Sequence, residues 1–154
     1  MLELDELRRQ YPEIIRGDII VRCLSGWREL VERALDEVIA TGLTAEQIEL
    51  HEIREKFGRL RITALTPAGR RDVARVFILA SLRSQFICEQ CGEPGKSLQT
   101  SDGWRMCRCD RHAAECPVPL SPVRPVLQIE MPDGVWRFDR TTDRLVLVGE
   151  PKIP

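Results

Sequence analysis

Hydrophobic positions in the first third of the chain follow helical spacing. Apolar residues recur three and four positions apart over Trp27–Ile39, which predicts an amphipathic helix with a polar, acidic outer face. Ser25 is placed to be its N-cap, and Gly42 lies where a helix commonly ends. A shorter helix is predicted over residues 2–10, and the β-branched segment 18–24 is predicted to be extended.

The pattern then changes to alternation, which predicts a β-hairpin over residues 48–64. The turn is placed at Phe57-Gly58, and the outgoing strand alternates less regularly, which indicates a bulge or a shorter strand. On the returning strand, Arg59 and Arg61 alternate with apolar residues and are predicted to share one face.

A second long helix is predicted over residues 67–84, with Thr66 as its N-cap and Pro67 at its first position. Residues 117–125 include four prolines and are interpreted as an extended linker. Short strands with turn residues between them follow, which predicts an antiparallel meander. Its strands are predicted at 126–131, 135–138 and 145–148.

The predicted fold class is α+β. It has N-terminal helices and a β-hairpin, a treble-clef-like zinc finger, and a C-terminal three-stranded antiparallel meander. The predicted domains are a zinc-bearing domain over 1–116, with the finger at 86–116, then the linker 117–125 and the meander 126–154.

Length and composition indicate an ordinary globular protein. The 154 residues are 43% hydrophobic and 31% charged, and no apolar run approaches the roughly 20 residues that a bilayer requires. The acidic N-terminus shows no apolar signal region, so we expect a cytoplasmic protein with no membrane partner. In that reducing environment, six cysteines indicate metal ligands or free thiols rather than disulfides.

The charge is unevenly distributed. Residues 1–53 carry 6 Lys and Arg against 12 Asp and Glu, a net of −6. Residues 54–112 carry 12 against 6, a net of +6. This asymmetry is typical of opposite charges that pair within one globule, and also of a basic surface for an anionic partner.

The region 86–116 has the spacing of a metal site. Cys88-Glu89-Gln90-Cys91 is one pair of ligand residues, and Cys109-Asp110-Arg111-His112 is a second pair after 17 intervening residues. A predicted hairpin, 96–106, lies between them. Two thiolates on a knuckle and a second pair at the start of a helix are typical of a treble-clef zinc finger. We therefore expect one structural Zn²⁺ held by Cys88, Cys91, Cys109 and His112.

The second ligand pair has an alternative. Cys107 lies two residues before Cys109 and can replace either Cys109 or His112 in the ligand set. Cys116 is interpreted as a spare thiol, and Cys23 as a core residue.

These motifs resemble a widespread group of uncharacterised bacterial and phage proteins. Its shared features appear here as Cys23-Leu24-Ser25-Gly26-Trp27, Lys56-Phe57-Gly58, residues 88–95, Gly103-Trp104, and Cys109-Asp110-Arg111-His112-Ala113. The resemblance covers roughly residues 11–114 and omits the meander. It implies a zinc-bearing fold with a link to mobile elements, favours Cys109 and His112 as ligands, and implies no activity. Arg59 stands where the pattern more often has a second glycine.

Catalytic motifs are few. The chain has no P-loop and no Gly-x-Gly-x-x-Gly, and it lacks the paired motifs of zinc deaminases. His51 is the remaining histidine once His112 is a ligand, and it is interpreted as a surface residue of the hairpin. The sequence favours a binding protein over a zinc-dependent enzyme and indicates no oligomeric state.

Two classes of partner remain open. A host protein that the chain docks on, as a phage or mobile-element factor does, is favoured by the acidic first third and by the added meander. Nucleic acid is the alternative, through the basic region 54–112, with Trp104 either stacked on a base or packed beside the zinc site. Seven basic residues are the candidates for the partner surface: Arg54, Lys56, Arg59, Arg61, Arg70, Arg71 and Arg105.

Overall fold

The computed structural model describes residues 1–152, which form two compact units, residues 1–123 and residues 124–152. The described chain is a mixed α+β protein with four α-helices and three three-stranded sheets, which confirms the predicted fold class at this level. The helices are α1 (Leu4–Gln10), α2 (Arg28–Ala40), α3 (Arg71–Ser84) and α4 (Asp110–Ala114). The strands of the first unit are β1 (Ile20–Arg22), β2 (Glu49–Lys56), β3 (Arg59–Leu65), β4 (Lys96–Gln99), β5 (Arg105–Arg108) and β6 (Ser121–Pro122).

The first sheet has the order β1-β2-β3, with β1 parallel and β3 antiparallel to β2. Its inner face carries Ile53, Leu60 and Ile62, which are buried in the hydrophobic core together with the apolar faces of α2 and α3. Trp27, immediately before α2, is fully buried in the same core. The hydrophobic spacing of the sequence therefore places one sheet face and two helix faces around a single aliphatic core.

The predicted hairpin is confirmed, including its turn and its bulge. The register shifts between Leu50 and Glu52, which is the irregularity expected on the outgoing strand. Phe57 and Gly58 have φ values of 53° and 74°, so two consecutive turn residues are left-handed, as in type I′ hairpins. A left-handed phenylalanine costs on the order of 1 kcal/mol relative to glycine at the same position.

Two predicted helix starts are wrong. Ser25 begins a 3-10 turn, Ser25–Trp27, and makes no capping hydrogen bond, so α2 starts at Arg28 instead. The helix predicted from Pro67 begins at Arg71, because Gly69 has a φ of +82° that an α-helix cannot include. The turn before α3 is closed by a hydrogen bond from the Arg71 N–H to the Gly69 carbonyl, at 2.8 Å.

The proline-rich segment 117–125 differs from a simple linker. Its residues 121–122 form β6, which pairs with β4, and the Val123 N–H donates to the Ser97 carbonyl at 2.9 Å. Proline is compatible with an edge strand, since its missing N–H need not face a neighbouring strand. The first compact unit consequently extends through Val123.

The second unit is the predicted antiparallel meander. It consists of β7 (Gln128–Met131), β8 (Gly134–Asp139) and β9 (Arg144–Gly149), in the order β7-β8-β9. Met131, Val135 and Phe138 are buried within the unit.

Among residues 1–152, no helix combines the length and the apolar character needed to cross a membrane.

Candidate metal centre

The first ligand pair lies on a tight knuckle between α3 and β4. The Gly92 N–H donates to the Cys88 carbonyl at 2.9 Å, and the Cys88 N–H donates to the Glu93 carbonyl at 2.7 Å. Gly92 has a φ of +79°, a conformation that suits glycine and lets the chain reverse directly after Cys91. The reversal brings the Cys88 and Cys91 side chains to the same side of the loop, as a shared metal ion requires.

The second pair lies at the start of α4. Cys109 is the N-cap residue of this helix, and its carbonyl accepts the Ala113 N–H at 2.9 Å. His112 follows three residues later, so its side chain is on the same face of the first turn. The first turn of α4 therefore fixes the spacing of these two ligands. Because β4 and β5 are antiparallel, the chain returns to the knuckle just before Cys109.

The four side chains form one compact cluster. The Nδ1 of His112 is 3.4 Å from the Cys88 Sγ and 3.3 Å from the Cys109 Sγ, and the Cys91 Sγ is 3.8 Å from the Cys109 Sγ. All four ligand atoms lie within 4.8 Å of one another. A tetrahedral zinc with Zn–S bonds of about 2.3 Å and a Zn–N bond of about 2.0 Å places its ligands roughly 3.5–3.8 Å apart. The cluster can therefore hold a metal ion.

The remaining cysteines lie outside this cluster. Cys107, the alternative ligand, points into the hydrophobic core and is fully buried, and burial raises the pKa of its thiol to about 12. Cys23 is buried in the same core, and burial likewise raises its pKa to about 12. Cys116 is a partly exposed free thiol. In residues 1–152, the cluster that could hold a metal ion thus consists of Cys88, Cys91, Cys109 and His112.

Backbone N–H groups favour thiolates at the site. The N–H of His112 is the main cause that lowers the pKa of Cys109 to about 7. At Cys88, burial raises the pKa, and the N–H groups of Cys109, Cys91 and Gln90 oppose that rise. The N–H groups aimed at sulfur are the arrangement that a bound dication and its thiolates require.

The loop Cys23–Trp27 supports the knuckle from behind. The Gly26 N–H donates to the Glu89 carbonyl at 2.9 Å, and the indole Nε1 of Trp27 donates to the Ile87 carbonyl at 2.9 Å. A Cβ at position 26 would lie 2.3 Å from the Cys88 carbonyl oxygen, so only glycine fits there. Gly26 and Trp27 in the motif Cys23–Trp27 are thus explained by their contacts with the knuckle, which lies far along the chain and is not visible in the local sequence pattern.

Sequence reasoning missed a buried ion pair beside the knuckle. Glu89 and Arg108 are 2.9 Å apart, with side chains 8% and 17% exposed. Burial raises the pKa of the Glu89 carboxyl, and the Arg108 guanidinium opposes that shift. No sequence signal marks this pair, because Glu89 is read as a knuckle spacer and Arg108 as one member of a basic run.

The seven candidate basic residues do not lie together. Arg54, Lys56, Arg59 and Arg61 share the outer face of the β2–β3 hairpin. Arg70 and Arg71 follow the opposite end of β3, and Arg70 is engaged by the Asp72 carboxylate and the Thr41 carbonyl.

Two residues outside the hairpin, Arg22 and Trp104, bear on this basic surface. Arg22 on β1 is in register with Arg54, so the basic residues on the outer face of the hairpin continue onto a third strand. The alternation of Ile20, Val21 and Arg22 is the signal that could have found it. Trp104 is 65% exposed and does not pack beside the ligand cluster, and His51 is an exposed hairpin residue as expected.

Comparison of the chain with known proteins found no matching family model, no matching curated protein and no matching solved structure.

Proposed function

We propose that this chain is a small, non-enzymatic binding protein whose first unit is stabilised by one structural zinc in a treble-clef-like finger. The observation that carries the proposal is the four-residue ligand cluster, three thiols and one imidazole within 4.8 Å. A knuckle, a short hairpin and a ligand pair opening a helix occur in that order, which supports the treble-clef assignment.

The donor set favours zinc. Three soft thiolates and one imidazole are a donor set typical of Zn²⁺, whereas Mg²⁺ and Ca²⁺ require oxygen ligands. The nearest carboxylate to the Nε2 of His112 in the ion-pair geometry is Glu115, at 3.9 Å, which is longer than a hydrogen bond.

The arrangement favours a structural role. A catalytic zinc keeps one position open for water or substrate, but here four protein ligands account for all four tetrahedral positions. The contacts of Gly26 and Trp27 with the knuckle also link the metal site directly to the main core. Both features suit an ion that organises the fold.

The proposal includes membership of the bacterial and phage group that the sequence resembles, and a role as a mobile-element factor. The contacts of Gly26 and Trp27 support the view that the shared motif is structural, since these residues hold the knuckle in place.

Metal analysis tests this function. Protein purified without added metal should contain about one equivalent of zinc per chain. Cys88→Ser should lose the zinc, while the matched variant Cys116→Ser should retain it, because Cys116 is a free thiol outside the cluster. Zinc below half an equivalent in the wild type, or equal losses in both variants, would contradict a structural Cys₃His site.

Docking on a host protein is the second candidate function, and the meander favours it. Both β7 and β9 are edge strands of their sheet, and Leu147 and Val148 on β9 are 54% and 42% exposed. An open edge can add a strand from a partner. A chain shortened to residues 1–123 should then keep its zinc and lose a host protein that co-purifies with the full chain. Retention of that protein would place the docking surface elsewhere.

A further inference from the structure

The outer face of the first sheet carries two rows of like charge, which we call the basic face. Arg22, Arg54 and Arg61 are in register across all three strands, and Lys56 is opposite Arg59 in the next row. Neighbouring strands are about 4.8 Å apart. Five cations are therefore concentrated on one side of a small sheet.

Repulsion among these five cations lowers the stability of the folded sheet. Like charges directly opposite each other on adjacent strands are destabilising. Within residues 1–152, the carboxylate paired with the basic face is Glu52, 3.0 Å from the Arg54 guanidinium. Arg59 is partly buried, and burial together with the nearby Arg105 charge lowers its pKa. One carboxylate does not balance five cations, so the remaining positive charge of this face is best explained by an external anion.

Two exposed aromatic rings lie at the end of the basic face. Phe57, on the hairpin turn, is 67% exposed, and Trp104, on the β4–β5 turn, is 65% exposed. Both line an open groove of about 390 Å³, whose other side chains are three cations, Arg54, Lys56 and Arg105, and two carboxylates, Glu55 and Asp102. The ring of Phe57 is held there by a left-handed backbone that glycine would adopt more easily.

The backbone keeps these two turns in place. A Cβ at Gly58 would be 3.0 Å from the Met106 N atom, so the hairpin tip lies directly against β5. The Trp104 N–H donates to the Thr100 hydroxyl at 3.0 Å, and the Trp104 carbonyl accepts the Thr100 N–H at 2.9 Å. The two aromatic rings therefore project from well-defined turns.

We propose that the basic face and its two aromatic rings bind single-stranded nucleic acid, with the cations on phosphates and with Phe57 and Trp104 stacked on bases. This rests on the proposed structural zinc, because the turn that carries Trp104 belongs to the finger. Unpaired bases expose the flat faces that aromatic side chains need, whereas bases in a duplex are stacked on one another. An acidic protein partner would satisfy the cations but leaves the two exposed rings without a role.

The test is fluorescence anisotropy of the full zinc-loaded chain with three labelled probes, namely a 12-nucleotide oligo(dT), the matching oligo(U), and a 12-base-pair duplex. Both single strands should bind more tightly than the duplex at each salt concentration. Affinity should fall with salt, with a log–log slope of about −0.7 for each phosphate contact. The oligo(dT) and oligo(U) arms distinguish DNA from RNA as the preferred strand.

Two variants distinguish the contribution of the phosphate contacts from that of base stacking. Arg59→Gln with Arg61→Gln should make the slope shallower by about 1.4, since two phosphate contacts are lost. Trp104→Ala should weaken binding about tenfold with the slope unchanged, because stacking releases no counterions, and Trp104→Phe should restore most of the affinity. The control is Arg9→Gln with Arg144→Gln, which removes the same charge from exposed positions off the basic face and should change little.

The same samples are analysed for zinc, so the two proposals can fail separately. One equivalent of zinc without single-strand binding at low salt would overturn the nucleic-acid proposal and leave the structural site intact. Absence of zinc would contradict the proposed function itself. Tighter binding to the duplex, or an equal loss in the control variant, would also overturn the single-strand assignment.

Discussion

The proposed zinc finger, residues 86–116, and the meander are two small β-structures of similar length, and we expect them to be stabilised differently. Between residues 86 and 116, the buried hydrophobic residues other than cysteines are Leu98 and Met106. The meander buries Met131, Val135 and Phe138 and has no metal-ligand cluster in residues 124–152. Neither has a core large enough to be stable on apolar burial alone. The finger adds metal ligands and contacts to the main core, and the meander relies on cross-strand pairs.

Metal removal should have the largest effect and should separate the two regions. Binding of structural zinc contributes on the order of 10 kcal/mol in small domains. A strong chelator should therefore abolish amide protection in β4 and β5, measured by hydrogen exchange, and leave protection in β7–β9 unchanged. Equal loss of protection in both regions would contradict their different stabilisation.

Removing a large buried side chain from the meander should unfold the meander and leave the metal site intact. Phe138 is 6% exposed, and replacing a buried phenylalanine with alanine costs about 3–5 kcal/mol. Phe138→Ala should therefore unfold β7–β9 with the zinc content still at one equivalent. Leu147→Ala is the control, since this side chain is 54% exposed and its loss should leave the meander folded.

A methyl group behind the knuckle should have a smaller effect that is confined to the finger. In Gly26→Ala the new Cβ would overlap the Cys88 carbonyl, so we expect a loss of about 1–3 kcal/mol in stability and weaker zinc retention against a competing chelator. Gly149→Ala is the matched change in the meander, where the nearest atom is at an ordinary 3.6 Å. An equal effect of both variants in urea unfolding would argue against the contact at Gly26.

The smallest expected effect tests the alternative ligand. Cys107→Ala removes a buried sulfur from the core, so it should lower the free energy of unfolding by about 1 kcal/mol. Zinc content should stay at one equivalent, because Cys107 lies outside the ligand cluster. A zinc content near zero in this variant would return Cys107 to the ligand set.

Local features were predictable from the sequence, whereas features that depend on distant residues were not. The 88/91 and 109/112 pairs and the Phe57-Gly58 turn follow from spacing within a few residues, and the structure has them. The clash that requires Gly26 depends on a carbonyl 62 positions away along the chain, which no local pattern shows. Thr66-Pro67 is a local helix-start signal, but the positive φ of Gly69 delays the start of α3 to Arg71.

Which basic residues share the outer face of the first sheet depends on the sheet register, which the sequence alone does not give. Alternation alone grouped Arg59 with Arg61, but the parallel pairing of β1 with β2 was needed to add Arg22 to the same face. For Trp104 the sequence left two alternatives, stacking on a base or packing beside the zinc site, and its position on the exposed β4–β5 turn leaves the ring 65% exposed.

The most direct test of the structural zinc is X-ray absorption spectroscopy at the zinc edge on the purified full chain. The Cys₃His cluster predicts three sulfur ligands at about 2.3 Å and one nitrogen ligand at about 2.0 Å, with no oxygen in the first shell. A first shell of four sulfurs would contradict the role of His112, and one containing a water oxygen would contradict a closed structural site.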